Sequence, residues 1–522
     1  MKKYLISTFL SITMLLFATA CDEEEFFELE NPPESPWLSL ADFEKAPIGA
    51  YYGLSGNGGF RHIYSHGYLQ GMLFADEVRL GSPDEGFNLN SDVEDMYNRA
   101  TDGTSIALFD NGIFRSGYFG VGHANAAIDH ILNNNGNPYP DEGRQDEVDR
   151  IHGELRFIRA YAYYWLAKVY LPAFPNAEKR IPWRTSQATN LDESFTSELA
   201  SADDIYPYII EDLRQAKELL PERFDPAIHN PSYEDGRANK FAASALLAKV
   251  LFHIGDYAGA KAELDFVIDQ NGGDYDLSED PIEAWNKTGI TRGREVIWYY
   301  ALWAGDGLGG PSNWKHPGRF ETYTADERRA RGPAANGGRH VMSSDSFLER
   351  VGWQDVDGNE TADALLDKRY TQLFLRLNST GSDENPDPRG QLNTQRTYVW
   401  GNKYYRAGNR ITNVPLLRLA DLVLMRSVIN ALNGNEGDAL TDLNAIRTRA
   451  GLTDFAGTGD ALLEAIHNER SKEMAFEGDR LYYLQALNLN VPAGDRGGAE
   501  VASKGPFFSE VPDFEKELNT AF

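Results

Sequence analysis

The strongest constraint in this 522-residue chain is a helical period that recurs in paired units. ELRFIRAYAYYWLAKVYL places Leu155, Ile158, Ala162, Trp165 and Val169 at steps of three and four, the spacing of one buried helix face. DDIYPYIIEDLRQAKELLP does the same with Ile205, Ile209, Leu213, Ala216 and Leu220, starting at capping-type acids and stopping at Pro221. ANKFAASALLAKVLFHIGDYAGAKAELDFVIDQNG reads as two helices joined at Gly255-Asp256. LLRLADLVLMRSVINALNGNEGDALTDLNAIRTRAG repeats that design with a turn from Asn433 to Gly437. DALLEAIHNERSKEMAFEGDRLYYLQAL follows as a long helix with a turn or kink near Gly478.

An Ala/Leu-rich helix, a Gly-containing turn and a second helix led by Ala is the pattern of tetratricopeptide hairpins, which need stacked neighbours to bury their faces. The two copies are separated by a long interval without that pattern, so the expectation is a mainly α scaffold rather than a simple solenoid. The interval, 289–415, carries strand-like EVIWYY and RTYVWGNKYY among long Gly, Pro and Asn stretches. Loops of that length are functional or disordered. The expected organisation is one domain over 37–522: an N-terminal part at 37–134, a helical scaffold at 135–288 and 416–490, and a loop-rich insert at 289–415.

The start of the chain adds a location. Basic Met1-Lys2-Lys3, apolar Leu5 to Phe17 and small Ala18-Thr19-Ala20 form an export-signal pattern over 1–20. The apolar run is shorter than the about 20 residues of a membrane-spanning helix, which disfavours an uncut anchor. Cys21 is the single cysteine, so no disulfide can form within the chain. The stretch resembles a bacterial lipobox, with Ala18 where such signals carry Leu, and predicts a lipidated Cys21 as first mature residue. Residues 21–36, acidic with three prolines, read as a tether. The net charge of −29 argues against nucleic acid and against attraction to an anionic membrane surface, so membrane attachment needs a covalent, multiply acylated anchor.

Two clusters invite chemistry. DVDGNE suggests calcium at Asp355, Asp357 and Asn359, but it lacks the spacing and distal Glu of a calcium loop and reads as an ordinary turn, leaving no cofactor expected. Glu469, Glu473 and Glu477 lie at steps of four on one helical face. Paired carboxylates hydrolyse glycosides across a cleft. Stacked along one helix beside Arg470 and Arg480, these read instead as an ion-pair network. No G-x-S-x-G, H-E-x-x-H or phosphate-loop motif is present.

The ordered set ELRFIRAYAYYWLAKVY, RIP, IYPYIIEDLRQAKELLP, NKFAASALLAKVLFHIGDYAGAKAEL, EVIW, DKRY, PLLRLADLVLMRSVINALNG, LNAIRTRAGL and NERSKEMAFEGDRLYYL resembles the SusD/RagB family, and spans nearly the whole mature chain. The acidic run after Cys21 is similar to the surface-export signals of such lipoproteins, while the C-terminal GPFFSEVPDFEKELNTAF matches the family's finish only loosely. The resemblance implies a SusD-like α-fold and a non-catalytic outer-membrane lipoprotein. It would cap a SusC-like TonB-dependent transporter and hold an oligosaccharide, or in some members a peptide. The helices would face the transporter and the irregular segments the ligand. A surface glycoside hydrolase and a repeat-type interaction scaffold are the competing classes.

Sugar recognition needs flat apolar faces for pyranose C–H surfaces and polar groups for hydroxyls. The segment after EVIWYYAL supplies both, with Trp303, Trp314, His316, Arg319, Phe320 and Tyr323 in a Gly/Pro-rich setting. The alternative is that one or two of these rings pin the loop to the scaffold. Lys315, Arg319, Arg328, Arg329, Arg331, Arg339 and His340 make this segment basic within an acidic chain. Arg forks match carboxylates and sulfates, so an anionic glycan stands beside a neutral one.

Overall fold

The structure, a computed structural model, describes residues 37–54, 63–81, 91–99, 110–234, 236–285, 287, 291–301, 341–378, 397–404 and 413–522. The chain divides into two units. In the first, through Lys45, a short helix (Leu40–Phe43) is capped by Ser39, whose hydroxyl accepts from the Asp42 amide at 3.2 Å. The second, Ala46–Phe522, carries everything below.

It is mainly helical, in chain order α1 (Ile63–Leu73), β1 (Val78–Leu80), α2 (Arg115–Asn133), α3 (Gln145–Tyr170), α4 (Ala202–Leu219), α5 (Lys240–Ile254) and α6 (Tyr257–Asp269). There follow β2 (Val296–Tyr300), β3 (Val341–Ser343), β4 (Phe374–Asn378), β5 (Thr397–Gly401) and β6 (Val414–Arg418). The chain then returns to helix in α7 (Leu419–Leu432), α8 (Glu436–Arg449), α9 (Asp460–Met474) and α10 (Arg480–Ala486). Among the described residues no helix is long and apolar enough to cross a membrane.

Local chemistry sets the helix ends. Ser201 and Asp204 form a reciprocal capping box at the start of α4, the hydroxyl taking the Asp204 amide at 3.2 Å and the carboxylate the Ser201 amide at 2.9 Å. Gly255, at φ +86°, ends α5, and Asp256 caps α6 by accepting from the Gly259 amide at 2.9 Å. The expected hairpin joint is therefore present residue for residue. The expected break near Gly478 is complete: α9 stops at Met474 and α10 starts at Arg480. Gly478 sits at φ +70° against α1, where a Cβ would lie 2.4 Å from the Tyr68 Cα, so only glycine fits.

Successive helices pack as neighbours, α2 on α3, α3 on α4, α4 on α5, α5 on α6, α7 on α8 and α8 on α9. The stack thus begins with α2, ahead of residue 135. The step that sequence spacing hides is α6 on α7, which are in contact although residues 270–418 lie between them in the chain. The two helical parts therefore join in one scaffold, as expected, and this contact is what joins them. Arg426 of α7 fastens the junction, donating to Asp442 of α8 at 2.8 and 2.9 Å and to Asp269 of α6 at 2.6 Å.

What permits this is the closure of the interval between α6 and α7. β2, near its start, and β6, at its end, pair antiparallel with an irregular register running from Val296 opposite Arg418 to Tyr300 opposite Val414. β6 then runs directly into α7. Both ends of the interval are thereby held at one place, and the loop-closure cost, which grows only slowly with length, is met once. Beyond that neck, β4 pairs with β5 and β1 with β3, all antiparallel. Met342, Tyr398 and Trp400 form a buried cluster there, with Leu375 against it.

Candidate functional site

Glu295 stands at the neck, immediately before β2. Its carboxylate takes Arg418 Nη1 at 2.6 Å and Arg449 Nη1 at 2.8 Å. Arg418 also donates to Glu473 at 3.0 Å and to Glu477 at 2.6 and 3.1 Å. Lys403, just past β5, donates to Glu477 and to the Glu473 carbonyl, both at 2.7 Å. Arg369 reaches Glu469 at 2.6 Å and holds Asp367 at 2.8 Å, and Arg447 meets Glu469 at 3.0 Å. Five carboxylates (Glu295, Asp367, Glu469, Glu473, Glu477) thus face five cations (Arg369, Lys403, Arg418, Arg447, Arg449). The charges cancel, as a buried cluster requires.

The three glutamates at steps of four are therefore an ion-pair network, as their spacing suggests, but with other partners. Arg470 binds Asp421 at 2.6 Å and Asp479 at 2.7 Å, and Arg480 binds Asp76 at 2.7 Å. Arg470 follows Glu469 by one residue and so points about 100° away from it, while Arg480 lies on α10, beyond the break. Burial alone would raise the Glu473 carboxyl, yet Arg449, Arg418, Arg369 and Lys403 hold it well below the usual carboxylate range. A glycosidase acid needs a raised pKa and contact with substrate. Glu473, 1 % exposed, has neither.

Aromatic rings line the strands that leave this neck. Trp298 of β2 stands edge-on to Phe157 and Tyr161 of α3, each with centroids 4.8 Å away, and its indole N–H donates to the Gly236 carbonyl at 2.6 Å. Tyr300, at the end of β2, lies 5.4 Å from Tyr64. Tyr404 packs between Tyr68 at 6.2 Å and Trp285 at 4.9 Å, and the Arg418 guanidinium lies 5.1 Å from the Trp285 ring centroid. Sequence reasoning missed Tyr64, Tyr68 and Trp285, which carry no periodic signal and meet only through the fold.

The strand ends root the segment singled out for sugar binding. Ala301 is the last described residue after β2, and Val341 opens β3, which is fixed by its pairing with β1. Trp303, Trp314, His316, Arg319, Phe320 and Tyr323 lie outside the described residues, as do Cys21, the tether and the basic residues from Lys315 to His340. The DVDGNE turn is described. There Asp355 Oδ1 accepts the Asp357 and Asn359 amides, both at 2.9 Å, and Oδ2 the Asn359 side chain at 3.1 Å. The turn's own donors thus use both carboxylate oxygens.

Comparison with known proteins returns one architecture. A family model described as the SusD family matches residues 295–484, and one described as "Starch-binding associating with outer membrane" matches residues 69–252. A SusD superfamily protein from Bacteroides thetaiotaomicron aligns with a TM-score of 0.70 at 19% identity, covering 93% of this chain and 99% of its own. A SusD-like carbohydrate binding protein from Bacteroides vulgatus gives 0.68 at 17%, covering 93% and 98%. A laminarin binding SusD-like protein gives 0.63 at 20%, covering 92% and 97%. No curated protein matches the chain.

Removing one cation from the neck should be costly, because it leaves carboxylates buried without their counter-charge. Arg418→Met is expected to lower unfolding stability by about 3–5 kcal/mol in chemical denaturation. A loss under about 1 kcal/mol would contradict the role given to the cluster.

Proposed function

Since this chain belongs to the SusD family, we propose that it is a non-catalytic, cell-surface glycan-binding lipoprotein of the outer membrane. It captures oligosaccharides and delivers them to a SusC-like TonB-dependent transporter. What supports this reading is the match of two SusD-type family models along the chain, together with the bracing of the strand that precedes the assigned residues in sequence. That strand is braced by Trp298 against α3 and by Glu295 against two arginines. Segments rooted on a rigid frame are where binding residues concentrate.

The starch-binding description of one family model and the carbohydrate- and laminarin-binding descriptions of two structural relatives support a sugar as the ligand class. Trp303, Trp314, His316, Arg319, Phe320 and Tyr323 are the residues assigned to contact it, the rings stacking on sugar faces and His316 and Arg319 bonding hydroxyls or an acidic substituent. The paired state of the α9 glutamates supports a carrier over a hydrolase. An acylated Cys21 anchors the chain, and residues 22–36 act as the tether.

The test is retention on immobilised glycans, with mass spectrometry of the unbound fraction for shortened products. Wild type should bind without generating any, and the double variant Trp314→Ala/Tyr323→Ala should bind at least about 10-fold more weakly with an unchanged melting transition. Equal retention by the double variant would remove these two residues from the site, and shortened products would make the protein a hydrolase. In fractionated cells Cys21→Ala should move the folded protein from membrane to soluble fraction. Persistence in the membrane would rule out the lipid anchor.

A further inference from the structure

A cavity of about 100 Å³ lies among α3, α5, α7 and the break between α9 and α10. Its charges nearly balance. Asp421 holds Lys249 and, at 2.6 Å, Arg470. Asp479 takes the same guanidinium at 2.7 Å, and Glu477 pairs with Arg418 within the neutral neck. His253 is neutral, because burial and then nearby lysines push it down to about 3.

Lys168 of α3 is the cation left over. Its ammonium lies 3.9 Å from the Trp165 ring centroid, 3.8 Å from Tyr482 and 4.9 Å from Tyr164. Among the described residues no carboxylate or hydrogen-bond acceptor reaches it. The side chain is half-buried, and cation–ring attraction offsets only part of the cost of drawing its ammonium out of bulk water. Burial, with Lys249 adding to it, accordingly pulls the Lys168 pKa well below that of a free lysine. The Tyr482 hydroxyl beside it is buried with no hydrogen-bond partner.

We propose that this chamber binds a small monocarboxylate, its charge matching the one unbalanced cation and its apolar tail lying among the rings. Once protonated, Lys168 supplies one positive charge that the chamber's carboxylates do not cancel, which selects a monoanion over a dianion, because a second negative charge would repel Asp421, Glu477 and Asp479. The volume sets the size. An apolar cavity of about 150 Å³ holds benzene, so about 100 Å³ takes a chain between acetate and butyrate. The described lining includes none of the residues assigned to glycan, and monocarboxylate binding does not depend on what the glycan proves to be.

The experiment titrates the full mature protein with butyrate by calorimetry at pH 7 in two buffers of different ionisation heat. Butyramide serves as the neutral isostere and Lys168→Met as the variant that keeps the apolar stem. Saturable butyrate binding is expected, half-complete at about 1 mM or below. It should be accompanied by uptake of up to about one proton as the paired lysine recharges. Butyramide should bind at least about 10-fold more weakly, and Lys168→Met should lose that discrimination and the proton uptake. Absence of saturable binding, butyramide within about threefold of butyrate, or full discrimination in Lys168→Met would each overturn the proposal. If Lys168→Met does not fold, the comparison of butyrate with butyramide on wild type decides alone.

Discussion

The ion pairs at the neck are the constraint on which the rest depends. Glu295 sits where the interval between the helical pairs departs, and Arg418 where it returns, in contact at 2.6 Å. Arg449 of α8 and Glu473 of α9 close the figure from the helical side. Against apolar residues of like volume such a cluster contributes little net stability. Its effect is to specify which ends meet, since any other pairing strands a charge in the core. With the ends held, α6 can pack on α7 and the helical stack continues past a long excursion of the chain.

That arrangement also separates two tasks. The stack is built from paired helices with their own caps, turns and buried faces. The excursion contributes strands and loops fixed at a few points: Trp298 on α3, β3 on β1, and Lys403 on Glu477. Segments rooted this way can vary in sequence without disturbing the stack, which suits a fold shared with solved structures at under 25% identity. The Lys168 chamber belongs to the stack instead, and its lining comes from residues that also hold the helices together.

Much of this was legible in the chain. Each helix announces itself through its own period, so α3, α4 and the hairpin at Gly255-Asp256 emerge from local pattern alone. The strand-like EVIWYY and RTYVWGNKYY became β2 and β5 for the same reason. The contact between α6 and α7 was not legible, because it rests on pairing between β2 and β6, which has no local signature. The glutamate face of α9 reads correctly as structural, yet its partners come from β6, α8 and the residues around Arg369 rather than from Arg470 and Arg480. The aromatics between Trp303 and Tyr323 stand on sequence chemistry and family likeness, lying outside the described residues.

The central claim is that the neck makes the excursion and the helical stack one cooperative unit. Native-state hydrogen exchange at low denaturant measures this directly, through the opening free energies of amides in Val296–Tyr300, Val414–Arg418 and Asp460–Met474. The account predicts that both strands open together with α9, within about 1 kcal/mol of each other. Strand amides that open several kcal/mol more easily than α9, leaving the helix protected, would show that the neck does not couple them.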